Sequence, residues 1–169
     1  GYTSSSGAGR TDIYVIKVDS KGDCVWAKTY GAERDDRATY ALETKDGGLV
    51  IAGKSGSYTA RGFGWDMLLI KADSRGNSLW TVVLPAVETD AGNCIYETAT
   101  GSFIVAGTKK CYGICDSNAY IAEISAEGAL IRQRIFAAKS DDTLNSICGS
   151  KTGFMAFGTT LSYGHGRGD

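Results

Sequence analysis

The sequence predicts an all-β chain built from a repeated four-stranded antiparallel unit. Three observations carry that prediction. The stretch "DIYVIKVDSKGDCVW" (Asp12–Trp26) returns almost letter for letter as "DMLLIKADSRGNSLW" (Asp66–Trp80). A glycine closes a short apolar run three times, in "GLVIAG" at Gly53, "SFIVAG" at Gly107 and "GFMAFG" at Gly158. The chain holds 23 glycines and a single proline, Pro85, which favours many hairpins over helices.

The interval is constant at about fifty residues, the sign of a repeat architecture. Asp12, Asp66, Asn118 and Asp169 keep the same register, and "NAYIAEISAEGALIR" is a degenerate third copy of the opening motif. In the clearest unit the apolar runs are Ala38–Thr44, Leu49–Gly53, Met67–Ala72 and Ser78–Leu84. Each is short, rich in Val, Ile, Leu or Tyr, and bounded by turn residues, which is the pattern of strands. The turns "DSKG" (Asp19–Gly22), "DSRG" (Asp73–Gly76) and "SAEG" (Ser125–Gly128) join the third run to the fourth. An Asp or Ser opening such a turn bonds the backbone ahead of it, and the closing Gly accepts a left-handed conformation. "KDGG" (Lys45–Gly48) and "ATGS" (Ala99–Ser102) join the first run to the second as hairpins.

Strands that are apolar on both faces need neighbours on both sides. Stacked four-stranded sheets supply them, which predicts the blades of a β-propeller. Naming the strands A to D from the inside, the chain is cut out of phase. Residues 1–34 carry C and D, residues 35–88 and 89–140 are complete blades, and residues 141–169 carry A and B. Three blades' worth is short of the usual ring of four to eight. The expectation is a processed product, an excised segment or part of a longer propeller. The alternatives are a dimer closing a six-bladed ring through composite blades, or an open filament.

A glycine closing the second strand, a polar loop and then a Trp on the fourth strand (Trp26, Trp80) resemble kelch-type propellers; Arg132 stands there in the third copy. "DIYVIKVDSKGDCVWAKTYG" (Asp12–Gly31) is more similar to bacterial and archaeal arrays of the form D-x-Y-L-I-K-x-D-x-x-G-x-x-x-W-x-K-x-Y-G. The resemblance covers the whole chain and implies a secreted or cell-surface protein, without implying an activity.

Composition narrows function by exclusion. A formal net charge of −1 gives no global attraction to nucleic acid or to an anionic membrane. No apolar run reaches the length of a membrane-spanning helix. His165, the sole histidine, leaves no multi-histidine metal site and no recognisable Ser/His/Asp set. "DSKGD" lacks the spaced carboxylates of a calcium loop. The Asp-box of sialidase propellers is spaced differently. "RGD" (Arg167–Asp169) is accounted for by the repeat register of Asp169. No catalytic residue, metal site or cofactor is expected.

The B-to-C loops (Tyr2–Asp12, Lys54–Asp66, Thr108–Asn118, Thr159–Asp169) and the D-to-A loops share one face. That face gathers Asp35, Asp36, Asp66, Asp90, Asp141 and Asp142, with Tyr58, Phe63, Trp65, Tyr112 and Tyr163 and the arginines Arg10, Arg61 and Arg167. Aromatics beside carboxylates suit a sugar ring, which makes this the candidate ligand face. The competing expectation is that the Asp residues cap turns and tie blades together. Adjacent carboxylates such as Asp35 and Asp36 would point to opposite faces of a strand, a poor acid/base pair. Cys111 and Cys115 in "CYGIC" suggest a small disulfide staple; Cys94 and Cys148, within A strands, are expected in the core, and Cys24 has no evident partner. The functional expectation is a non-catalytic scaffold binding protein or glycan, with a carbohydrate-binding platform and a filament subunit as alternatives.

Overall fold

The computed structural model describes residues 1–59, 64–84, 89–110, 116–136 and 139–163. The regular structure among them is all β. A first sheet holds β1 (Tyr2–Thr3), β2 (Asp12–Val18) and β3 (Cys24–Tyr30). A second holds β4 (Asp36–Glu43), β5 (Leu49–Ser55), β6 (Asp66–Ala72) and β7 (Ser78–Leu84). A third holds β8 (Asp90–Glu97), β9 (Phe103–Lys110), β10 (Ser117–Ile124) and β11 (Leu130–Phe136), and a fourth is the hairpin β12 (Asp142–Ser150) and β13 (Gly153–Thr160). Strands consecutive in the chain pair antiparallel, so each sheet is a meander. The two-residue β1, against Asp12 and Ile13, is an addition to the sequence reading.

The turn chemistry is as the letters require. Asp19 Oδ1 accepts from the Lys21 and Asp23 amides, and Asp73 Oδ1 from those of Arg75 and Asn77. Ser125 Oγ does the same for Glu127 and Ala129. These turns also join sheet to sheet. Trp26 Nε1 donates to Ser74 O at 3.1 Å, and Trp80 Nε1 to Ala126 O at 2.9 Å, each in the turn of the following sheet. The rings also stand close to the turn glycines. A β-carbon at Gly76 would meet Trp26 Cζ3 at 3.2 Å, and one at Gly128 would meet Trp80 Cδ2 at 3.1 Å. The motif recurs because one copy's Trp docks on the next copy's turn.

The repeated glycines Gly53, Gly107 and Gly158 have a different cause. The first strand of the second, third and fourth sheets carries an irregularity, between Ala38 and Tyr40, Gly92 and Cys94, and Leu144 and Ser146. Such a bulge pushes a carbonyl onto the neighbouring strand. A β-carbon at the three glycines would stand 2.1, 2.0 and 1.9 Å from Arg37 O, Ala91 O and Thr143 O.

Side-chain alternation sends the second sheet's apolar groups both ways. Ile51, Leu68 and Ile70 join Ile13, with Val15 and Tyr30 of the first sheet packed beside them. Val50, Ala52, Met67 and Leu69 join Ile95, Phe103, Val105 and Tyr120 of the third. All seven residues of β6 are buried, Lys71 included. The outer sheets lack such cover, since Tyr14, Ile16 and Val18 of β2 and Met155 and Phe157 of β13 are exposed. Cys94 is buried, but Cys148 is exposed, against the sequence expectation, because among the described residues no sheet covers that face of the terminal hairpin. Among the described residues no helix is long and apolar enough to cross a membrane.

Candidate functional site

The candidate face lies at the seams where one sheet meets the next. Each seam is stitched by backbone. Asp36 N donates to Thr11 O, and Asp90 N to Trp65 O, both at 2.7 Å. Short parallel bridges Thr11–Asp35 and Trp65–Thr89 mark the same contacts. The third strand of one sheet and the first strand of the next therefore begin side by side. Both begin with Asp, so the repeat brings carboxylates together in pairs: Asp12 with Asp36, and Asp66 with Asp90.

These carboxylates are buried, as are those of the terminal hairpin. Asp12, Asp36, Asp66, Asp90 and Asp142 are 1%, 0%, 3%, 1% and 6% exposed. Asp36 Oδ2 accepts from Ala32 N and Ser57 Oγ. Asp90 accepts from Lys109 Nζ at 2.9 Å and Lys110 N at 3.0 Å. Burial pushes the Asp90 carboxyl above its ordinary range, against the pull of Lys109, and the charge of Asp66 adds to the rise. Asp142 is held by Thr160 Oγ1 and Ser162 Oγ. Asp35 accepts from Thr11 Oγ1, and Asp141 from Ser117 N. Their work is to fasten strand starts. Carboxylates turned inward in this way are poorly placed to accept hydroxyls from a sugar at the surface.

The described aromatics are more accessible. Tyr163 is 71% and Tyr58 43% exposed. Burial, then the charges of Asp36 and Asp12, raise the Tyr58 phenol above its usual value. Trp65 is half-buried and flanked by cations, with Lys54 Nζ 4.7 Å and Arg37 Cζ 5.4 Å from its ring centroid. Arg37 also lies 4.9 Å from the Tyr2 ring. At the next seam Lys109 stands 5.1 Å from the ring of buried Tyr120, whose phenol is pushed up to about 12 by burial first and then by Asp90. Cys94 is shielded in the core, where burial raises its thiol to about 11. Phe63, Tyr112, Arg61, His165 and Arg167, the pair Cys111 and Cys115, and Asp169 lie outside the described residues.

Sequence reading missed Lys109, Arg37 and Ser55. A signal was present in the repeat register. Ser55, Lys109 and Thr160 occupy one position, opposite Asp36, Asp90 and Asp142. Among the described residues no cluster of three carboxylate, thiol or imidazole side chains has metal-holding geometry.

No known protein family matches the chain. Regulatory protein FlaEY of Caulobacter vibrioides is 29% identical over 117 residues, covering 63% of this chain and 12% of that protein. The crystal structure of a protein of unknown function from Bacteroides caccae aligns with 85% of this chain and 49% of its own, at TM-score 0.56 and 14% identity. That likeness is one of fold alone. The chain spans about half of the second protein and a small fraction of the first.

Proposed function

We propose that the chain is a stretch of β-propeller serving as a non-catalytic scaffold, an interaction platform within a secreted or cell-surface protein. One observation carries the reading: the two ends are complementary halves of the same sheet. The first sheet has third and fourth strands but only a two-residue remnant of a second. The fourth sheet has first and second strands only. Beside each half lies a groove where the missing strands would fit. One is lined by Val15, Ile16, Ala41, Leu42 and Leu49, and the other by Ile121, Phe136 and Phe154. In the complete sheets the second strand pairs with the third in full register. β13 meeting the β2 of another unit would repeat that pairing and remove both open edges. The larger size of both matched proteins supports a setting with further repeats.

The glycan alternative rests on the exposed Tyr58 and Tyr163 without help from the buried carboxylates, and no further observation favours it. Size-exclusion chromatography with light scattering, over a concentration series, tests the architecture. A discrete dimer is the expected result for a six-bladed ring closed by composite sheets. A monomer throughout the series would overturn that closure and make the chain one arc of a longer propeller. Mass growing without limit would point to the filament.

A further inference from the structure

We propose that the seam between the first two sheets binds a hard divalent cation, with calcium the best fit, between Asp12 and Asp36. The neighbouring seam is the internal control. There the buried Asp66–Asp90 pair receives the ammonium of Lys109, 2.9 Å from Asp90 Oδ2. At the first seam the same register position holds Ser55. Ser55 is fully buried and its hydroxyl is occupied by the Ser57 and Tyr58 amides. The third seam has a single such carboxylate, because Asn118 stands in register with Asp12 and Asp66. The first seam is therefore the one with two buried carboxylates and no lysine at that position.

The atoms show the same imbalance. Asp12 Oδ2 accepts from Gly9 N at 3.0 Å, and Asp36 Oδ2 from Ala32 N at 2.9 Å and Ser57 Oγ at 2.6 Å. Asp12 Oδ1 and Asp36 Oδ1 are buried and have no hydrogen-bond partner. The carboxylates converge on one small space. A β-carbon built on Gly31 would lie 2.1 Å from Asp12 Oδ1 and 2.8 Å from Asp36 Oδ2. Arg37, next to Asp36 on β4, lies over the rings of Tyr2 and Trp65; its buried Nε is also without a hydrogen-bond partner, and neither orphan oxygen receives a hydrogen bond from it. A buried carboxylate pair without a neutralising partner is strongly unfavourable. All the groups offered are oxygen donors, the preference of calcium and magnesium, and calcium tolerates the irregular geometry. Two carboxylates balance a divalent charge, and water would supply the remaining ligands.

The test is calorimetric titration of the chelator-treated 169-residue chain with CaCl2, paired with thermal melts. The expected result is one calcium per chain and a melting temperature raised by about 5 °C at a hundredfold excess over Kd. Asp12→Asn should abolish both effects. Asp36→Asn removes the other carboxylate and should abolish both effects as well, which decides the matter even if Asp12→Asn fails to fold. No heat and no shift with CaCl2 would overturn the proposal. So would calcium binding retained by a folded Asp12→Asn or a folded Asp36→Asn. Stability that rises on acidification yet ignores CaCl2 would also overturn it, assigning the space to a shared proton.

Discussion

At the scale of residues, one cross-strand pair of the repeat changes both partners together. Lys17, Lys71 and Glu123 share a register position, opposite Trp26, Trp80 and Arg132. Lys71 is buried, yet its ammonium reaches Asp46 Oδ1 at 2.8 Å and Thr44 Oγ1 at 2.8 Å in the turn after β4. Glu123 inverts the arrangement, accepting from Arg132 at 2.6 Å and from Ser102 at 2.7 Å. The turn aspartates were legible in the sequence because their partners are their own neighbours. Lys71 was not, since a lysine in an apolar run gives no sign of which distant turn will receive it. The hydrogen bond from Lys71, then those from Thr44 and the Gly48 amide, hold the Asp46 carboxyl well below the usual range. A carboxyl depressed in the folded state adds stability above its unfolded pKa, near 4, and loses it as pH falls toward the folded value. Asp46 is 62% exposed, so solvent screens much of the effect. Asp46→Asn is expected to cost on the order of 1 kcal/mol at pH 7. Urea denaturation at pH 7 and again near pH 3 checks this: the gap from the parent should narrow in acid. A gap of equal size at both pH values would assign the effect to the turn's hydrogen bonds rather than to charge.

At the scale of elements, strand order and turns were readable because alternation and turn chemistry are local. The bulges in β4, β8 and β12 were not, because the glycine that records each one sits on a different strand. Gly53, Gly107 and Gly158 were visible as anchors of the repeat, while their cause appears only when Ala91 O is found where a Gly107 β-carbon would stand. That separates two kinds of glycine by experiment. At Gly107 an added methyl meets Ala91 O at 2.0 Å and must force the bulge open. Gly101, at φ 85°, has nothing within 4 Å of the added atom, so backbone strain alone opposes substitution. Gly107→Ala should lose about 3 kcal/mol, an overpacking cost, against about 1 kcal/mol for Gly101→Ala. Thermal melts of the two variants compare them directly. Equal losses would show that β8 relaxes freely and that the bulge does not set the register.

At the scale of the whole molecule, burial is graded along the row of sheets. The second sheet is covered on both faces, and β6 has no exposed residue. The terminal faces carry apolar side chains in the open: Phe157 is 60% exposed and Met155 59%. A period of about fifty residues made the row legible in sequence. What covers its ends was not, because an open end and a covered end are written in the same repeat. The candidate face divides the same way. Its composition was readable, but the inward turn of its carboxylates depends on contacts between sheets. Two substitutions read the gradient as free energy. Leu69, fully buried between the second and third sheets, should cost 2–5 kcal/mol as Leu69→Ala at any protein concentration. Phe157→Ser removes a ring that is 60% exposed among the described residues, so in dilute solution it should change stability by less than about 0.5 kcal/mol. If end-to-end contact covers that ring, the same change should lower the melting temperature only at concentrations where light scattering detects association. A large loss in the dilute monomer would mean that Phe157 is already packed within its own chain, and the open-ended row would have to be abandoned.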